Sequence, residues 1–162
     1  MGFLSSLFGP KRYSKTYTIS IGTYRNAEDL RAALKGGGCD TGDVDDLLSQ
    51  VVPSAERKEL DIVVVTVEDL GLAERVDRKE IYDRARALNL ELCPAEVGPQ
   101  LWLQHKDRID EPQLYIGMEP LSDKIFQVGR YGPSVFLGSW SYNDVFYSLQ
   151  SWAFIGQTRP KN

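Results

Sequence analysis

One short segment holds the residue types of a cysteine-dependent active site. Cys93, Glu96 and His105 lie within thirteen residues of one another, and His105 is the only histidine of the chain. A thiolate nucleophile needs a base to take its proton and a further group to orient that base. The three residues could therefore form a Cys–His–acid set. The spacing is equally typical of a packed Cys93 and a surface His105 beside Lys106, so both interpretations stay open.

Other catalytic and metal chemistry is excluded by residue count or spacing. Structural zinc needs four ligands, but two cysteines and one histidine leave one missing. The glycine run at 36–38 lacks the Lys-Ser/Thr pair of a phosphate-binding loop. A calcium loop starting at Asp43 would have Leu48 and Ser54 where Gly and Glu are required. We therefore expect no cofactor and no metal.

Aromatic residues are concentrated in the C-terminal half. Eleven of the seventeen follow residue 100, and large aromatic side chains suit both protein cores and recognition surfaces. Tyr131, Tyr142 and Tyr147 fall among predicted loop residues, where a side chain has the freedom to bind a partner. We expect most of the other aromatic residues to belong to the core.

The segment 134–140 carries apolar residues in both phases of a predicted strand. Phe136 and Trp140 alternate with Val135 and Leu137, whereas an antiparallel sheet commonly buries one face only. Either a helix covers the second face, or that face is an exposed patch of the kind that marks interaction sites. The second alternative makes Trp140 or Tyr142 part of such a patch, as in a homodimer interface.

The elements that position these residues follow from hydrophobic periodicity and turn signals. The chain is predicted to be α+β, with N-terminal strands flanked by helices and followed by a C-terminal antiparallel β-meander. Predicted strands span 15–22, 60–67, 101–103, 114–118, 125–128, 135–140 and 152–155. Predicted helices begin after Asn26, after Asp40 or Thr41, and after Asp77; they end at the glycine run 36–38, before Pro53 and near Asn89.

The first residues of the chain allow two interpretations. If residues 1–12 are helical, they place Phe3, Leu4, Leu7 and Phe8 on one face. This could be an interfacial membrane anchor, or a terminal arm that packs on the body or frays. The predicted organisation is an N-terminal arm at 1–12 and a single α+β domain at 13–158, with 13–72 and 73–158 as candidate halves.

Charge and cysteine content bound the partners and the compartment. The net charge is −4 and the pI is near 5.1, with no stripe of Lys and Arg. Phosphate contacts dominate nucleic-acid affinity, so we exclude nucleic acid as a partner. Two cysteines without a CxxC pair are typical of reduced thiols in the cytoplasm. No window approaches the roughly 20 apolar residues of a membrane span, so membrane contact is expected only through residues 1–12.

The segment Leu-Cys-Pro-Ala-Glu-Val-Gly-Pro-Gln-Leu at 92–101 resembles the core motif of a family of small uncharacterised bacterial proteins, familiar from environmental and candidate-phylum genomes. The resemblance covers roughly residues 60 to 155. It implies a bacterial cytosolic protein and supplies no activity. The family pattern has Arg and Tyr where this chain has Trp102 and His105, which implies that His105 is not a shared catalytic base.

These observations favour a non-enzymatic binding or accessory module that acts through its aromatic-rich C-terminal half. The expected partner is an unidentified protein or a second copy of the chain, and the candidate binding residues are Tyr131, Trp140, Tyr142 and Tyr147. Two alternatives remain. One is a small enzyme that uses Cys93 as nucleophile with Glu96 or His105, and the other is a peripheral membrane protein anchored by residues 1–12.

Overall fold

A computed structural model describes residues 13, 15–141 and 144–156. Its strands are β1 Lys15–Ile21, β2 Lys58–Thr66, β3 Arg75–Asp77, β4 Leu114–Ile116, β5 Lys124–Tyr131, β6 Ser134–Ser141, β7 Val145–Tyr147 and β8 Ser151–Ile155. Its helices are α1 Ala27–Gly36, α2 Asp45–Leu48, α3 Arg78–Ala87 and α4 Val97–His105, with a 3-10 helix at Gly42–Val44. The predicted α+β class is confirmed. The predicted arm at 1–12 lies outside the described residues.

Six strands form one curled sheet in the order β1-β2-β8-β4-β5-β6. Strands β4, β5 and β6 are the predicted antiparallel meander. The last strand, β8, does not continue it. Strand β8 lies between β2 and β4, antiparallel to the first and parallel to the second. Strands from 13–72 and from 73–158 therefore share one sheet and one core. A second, two-stranded sheet pairs β3 with β7.

Two helices begin at the caps that the sequence predicts. The Asn26 side chain accepts a hydrogen bond from the backbone N–H of Asp29 at 2.8 Å, and Asp77 accepts one from Glu80 at 2.8 Å. These bonds satisfy N–H groups that have no partner within the first helical turn. The helix predicted between the cap at Asp40 or Thr41 and Pro53 is shorter, because a 3-10 turn precedes the four residues of α2.

The predicted strand at 101–103 is wrong, because these residues belong to α4. Residues 97–102 of this helix are all buried. A helix that is buried on every side shows no amphipathic period, so its sequence resembles a buried strand. Pro99 is the third residue of α4, in the first turn, where a backbone N–H has no helical partner.

Helix α4 packs against β1, β5 and β6, and so spans the gap between the two edge strands of the curled sheet. The backbone of α4 lies very close to β5. A Cβ atom at Gly98 would lie 2.7 Å from the Cβ of Phe126 on β5. The glycine therefore sets how near the helix can lie to the sheet.

The aromatic core lies where α3 and the small sheet meet β4 and β8. The ring of Trp152 contacts the rings of Phe146, Tyr115, Tyr82 and Phe154, with centroid distances of 4.8 to 6.2 Å. All five side chains are buried. Within the described part of the chain, no helix has the length and apolar character needed to cross a membrane.

Candidate binding surface

Cys93 is a packed thiol. Its backbone N–H donates to the carbonyl of Gly117 at 2.6 Å, and its Sγ lies 3.5 Å from the carbonyl oxygen of Ala153. The side chain is buried, and this burial raises the pKa of the thiol far above its ordinary value. Because the thiolate is the reactive form of cysteine, this environment is the opposite of the one that activates a nucleophile.

Glu96 is a buried carboxylate that accepts three hydrogen bonds. Its side-chain oxygens accept from the backbone N–H of Gly22 and of Ser54, each at 2.8 Å, and from Nε2 of Gln100 at 3.0 Å. Its residue is only 1% exposed. The carboxylate therefore joins the end of β1 and the segment before β2 to the start of α4.

His105 and Gln104 contact the free edge of β1. The amide of Gln104 donates from Nε2 to the carbonyl of Ser20 at 2.7 Å and accepts from the Ser20 N–H at 2.9 Å. This pair of bonds imitates the contact that a neighbouring strand would make. His105 donates from Nε2 to the carbonyl of Thr18 at 2.7 Å, and its ring packs on Tyr17.

The three candidate catalytic residues therefore serve separate contacts. Cys93 faces β8, Glu96 holds two loops, and His105 covers the β1 edge. Among the described residues, no hydrogen bond joins any two of them. Nothing in this arrangement places a base beside the Cys93 thiol.

The opposite edge strand, β6, is also engaged by side chains. Nε1 of Trp102 donates to the carbonyl of Val135 at 3.0 Å. The amide of Gln127 lies across Gly138 and donates to the carbonyl of Ser139 at 3.2 Å. The Gly42–Val44 turn packs nearby as well. Unpaired strand edges are sites where other chains can add, and side chains engage part of each edge of this sheet.

The predicted aromatic candidates lie in different environments. Trp140 is half-buried, and its ring makes an edge contact with Tyr115 at 5.9 Å, so it is the rim of the aromatic core. Both faces of β6 are at least partly covered, and Leu137 is buried. Tyr131 is 85% exposed and stands alone at the tip of the β5–β6 hairpin. Tyr142 lies outside the described residues.

Tyr147 belongs to a row of exposed apolar side chains. The exposed fraction is 37% for Val145, 50% for Tyr147 and 76% for Leu149, whereas Phe146 between them is 1% exposed. Alternate residues of a strand point to opposite faces, so Phe146 faces the core while its neighbours face water. We call Val145, Tyr147 and Leu149 the apolar ridge.

The backbone beneath the ridge is held at several points. The turn after β7 closes with a bond from the N–H of Gln150 to the carbonyl of Tyr147 at 3.0 Å, and the Tyr147 N–H returns one to Oε1 of Gln150 at 2.7 Å. The N–H of Glu68 donates to the carbonyl of Ser148 at 2.9 Å. The ridge is therefore a fixed surface feature.

Comparison with protein-family models, with curated proteins and with solved structures found no match. The described residues also contain no group of three or more His, Cys, Asp or Glu side chains that could hold a metal ion.

The geometry of the described residues is what identifies the site. On that basis the ridge is the strongest candidate, and two of its members, Val145 and Leu149, were not predicted from the sequence. The sequence signal for Val145 was the alternation of side chains along the strand, which places Val145 and Tyr147 on the face opposite Phe146.

Proposed function

We propose that this chain is a non-enzymatic binding module whose partner docks on the apolar ridge. The observation that carries the proposal is the exposure of three large apolar side chains within five residues, at 145, 147 and 149. Single exposed apolar residues are ordinary in soluble proteins, but contiguous patches mark interaction sites. Val52 and Tyr131 are also exposed, and each is isolated from the ridge in sequence.

The fixed backbone under the ridge supports the same proposal. A surface that is already ordered loses less conformational entropy when it binds. The bonds of Gln150 and Glu68 hold the turn without using any side chain of the ridge. Tyrosine is also among the residues that contribute most to binding at protein interfaces.

The small-enzyme alternative is less well supported. Cys93 and Glu96 are buried and bonded to other groups, and His105 is bonded to the β1 edge. The membrane-anchor alternative depends on residues 1–12, outside the described range. Two free, buried cysteines support our further proposal of a reducing, cytoplasmic setting. The resemblance of residues 92–101 supports a bacterial origin.

Selection from a displayed library of short random peptides tests the proposal. The variant replaces Val145, Tyr147 and Leu149 by serine. We expect peptides enriched on the unmodified protein to bind this variant at least about tenfold more weakly, a loss of about 1.4 kcal/mol. The Leu149→Ser single variant should lie between the two, and thermal melting should show that both variants fold.

The matched control removes exposed apolar residues elsewhere, with Val52→Ser and Tyr131→Ser combined. This control should bind the selected peptides as the unmodified protein does. Peptides that bind the ridge variant undiminished, or that lose binding to the control instead, would show that the ridge is not the docking surface.

A further inference from the structure

The segment that carries the ridge and the segment paired with it are both acidic in sequence. The segments 68–77 and 144–149, which contain the ridge and the strand and loop beside it, hold five carboxylates and one arginine, a formal charge of −4. The whole chain also carries −4, so the remaining residues are neutral in sum. The five carboxylates belong to Glu68, Asp69, Glu74, Asp77 and Asp144, and all five residues are exposed.

Three of these five residues adjoin the ridge along the backbone. Asp77 is the cross-strand neighbour of Val145, and Asp144 precedes it in the chain. Glu68 is bonded through its N–H to Ser148, between the last two ridge residues. Directly opposed residues of an antiparallel pair have Cβ atoms about 5 Å apart. A partner on the ridge would therefore meet Asp77 beside Val145, with the exposed residues Glu68 and Asp144 next to the ridge along the backbone.

Three of these five carboxylates have no ion-pair partner among the described residues. In the described ranges, no ion pair engages the carboxylates of Glu68, Glu74 or Asp144. Arg75, opposite Tyr147, is the one cation within the two segments, and Arg84 of α3 donates to the carbonyl of Leu70 at 2.7 Å. The Asp77 carboxylate caps α3, because it accepts a hydrogen bond from the Glu80 N–H.

We infer that the ridge binds a segment of another protein that combines apolar residues with Lys or Arg. The inference rests on the proposed function and adds the chemistry of the partner. Opposite charges at an interface rim guide association and exclude partners of like charge. A second copy of this chain would bring a second charge of −4 to the same surface. Anionic lipid and nucleic acid would be repelled in the same way.

Fluorescence anisotropy with two labelled peptides tests the inference. One peptide is built from leucine and lysine, and the other has glutamate at every lysine position. We expect only the leucine–lysine peptide to bind, and its affinity should fall as salt is raised. The charge variant Glu68→Gln, Glu74→Gln and Asp144→Asn should weaken binding by about tenfold at low salt, because it removes three of the charges that attract the lysines.

The matched control neutralises three exposed carboxylates far along the chain from the ridge, with Glu28→Gln, Asp43→Asn and Asp46→Asn. It has the same net charge as the charge variant and should retain nearly full affinity. Equal binding by the charge variant and the unmodified protein would overturn the cationic partner. So would failure of the leucine–lysine peptide to bind, binding of the glutamate peptide, binding to anionic vesicles, or dimers in light scattering.

The ridge variant with three serines separates the two proposals. If it loses the leucine–lysine peptide while the charge variant keeps it, the ridge remains the docking surface and only the charge requirement fails. If the ridge variant keeps the peptide while the charge variant loses it, the carboxylates bind alone and the proposed function fails.

Discussion

Along helix α4, the polar side chains of Glu96 and Gln100 are buried and that of Gln104 is exposed, and each reaches a hydrogen-bond partner. Along the ridge, by contrast, apolar side chains stand in water. Glu96, Gln100 and Gln104 bond to one another and to the β1 backbone or to Thr23. The α4 segment has the residue types of an active site, yet its polar groups hold the fold together. The ridge has no reactive group, and its three large apolar side chains lie outside the core, where they are free to contact a partner.

The sharpest test of this contrast is Glu96→Ala. The substitution leaves the N–H groups of Gly22 and Ser54 and the amide of Gln100 without their acceptor. Each buried donor left unpaired costs about 1 to 3 kcal/mol, so we expect a loss of about 4 kcal/mol in the free energy of unfolding. Chemical denaturation measures it. Glu91→Ala, at an exposed carboxylate, should change the value by less than about 0.5 kcal/mol. Similar losses in the two variants would contradict the role of Glu96.

Phe146 in β7 and Leu149 in the turn after it offer the next largest difference. Phe146→Ala removes a ring that contacts Trp152 and Tyr115, and should cost about 3 kcal/mol. Leu149→Ala, on the exposed ridge, should cost less than about 0.5 kcal/mol. Denaturation midpoints of the two variants give the comparison. A large loss at Leu149 would show that the ridge serves the core of this protein and is not a free surface.

Two glycines test how closely α4 lies on the sheet. Gly98→Ala would push a methyl group against Phe126, and we expect it to cost about 2 kcal/mol through overpacking. Gly36→Ala is the matched control, because nothing lies within 4 Å of its added Cβ atom. Alanine favours a helix over glycine, so the control should be neutral or slightly stabilising. Thermal melting would contradict the close approach if both variants behaved alike.

The smallest expected effect is the order in which the two thiols react. Burial raises the pKa of Cys39 to about 11, and that of Cys93 is raised further. At neutral pH a raised pKa means a smaller thiolate fraction and slower alkylation. With iodoacetamide and mass spectrometry, we expect Cys39 to be labelled before Cys93, and both far more slowly than in denaturant. Rapid labelling of Cys93 in the native protein would contradict this order and would support Cys93 as a nucleophile.

The sequence predicts those elements whose signals are local. Strand β1 alternates, β2 is a continuous β-branched run, and the caps of α1 and α3 are formed by Asn26 and Asp77 as expected. The position of β8 between β2 and β4 has no local signal, since it depends on pairing with distant strands. Helix α4 was missed because burial on every side removes its period.

The candidate site was only partly predictable for a related reason. Tyr147 was identified as a loop aromatic, but Val145 and Leu149 have the composition of core residues. The pairing of β7 with β3 turns Phe146 inward and leaves Val145 facing water, while Leu149 lies exposed in the turn after β7. Trp140 is the opposite case, because it was predicted as part of an exposed patch and is half-buried. Its contact with Tyr115 depends on how the sheet curls.

The bond between Gln104 and Ser20 also has a consequence for how the chain folds. The two residues are 84 positions apart, and long loops close late because bringing their ends together costs entropy. Strand β1 can pair with β2 well before α4 arrives, and during that interval its outer edge is open to other chains. We therefore expect the refolding chain to be most prone to aggregation before Gln104 docks on the β1 edge, and a Gln104 that cannot dock would prolong that interval.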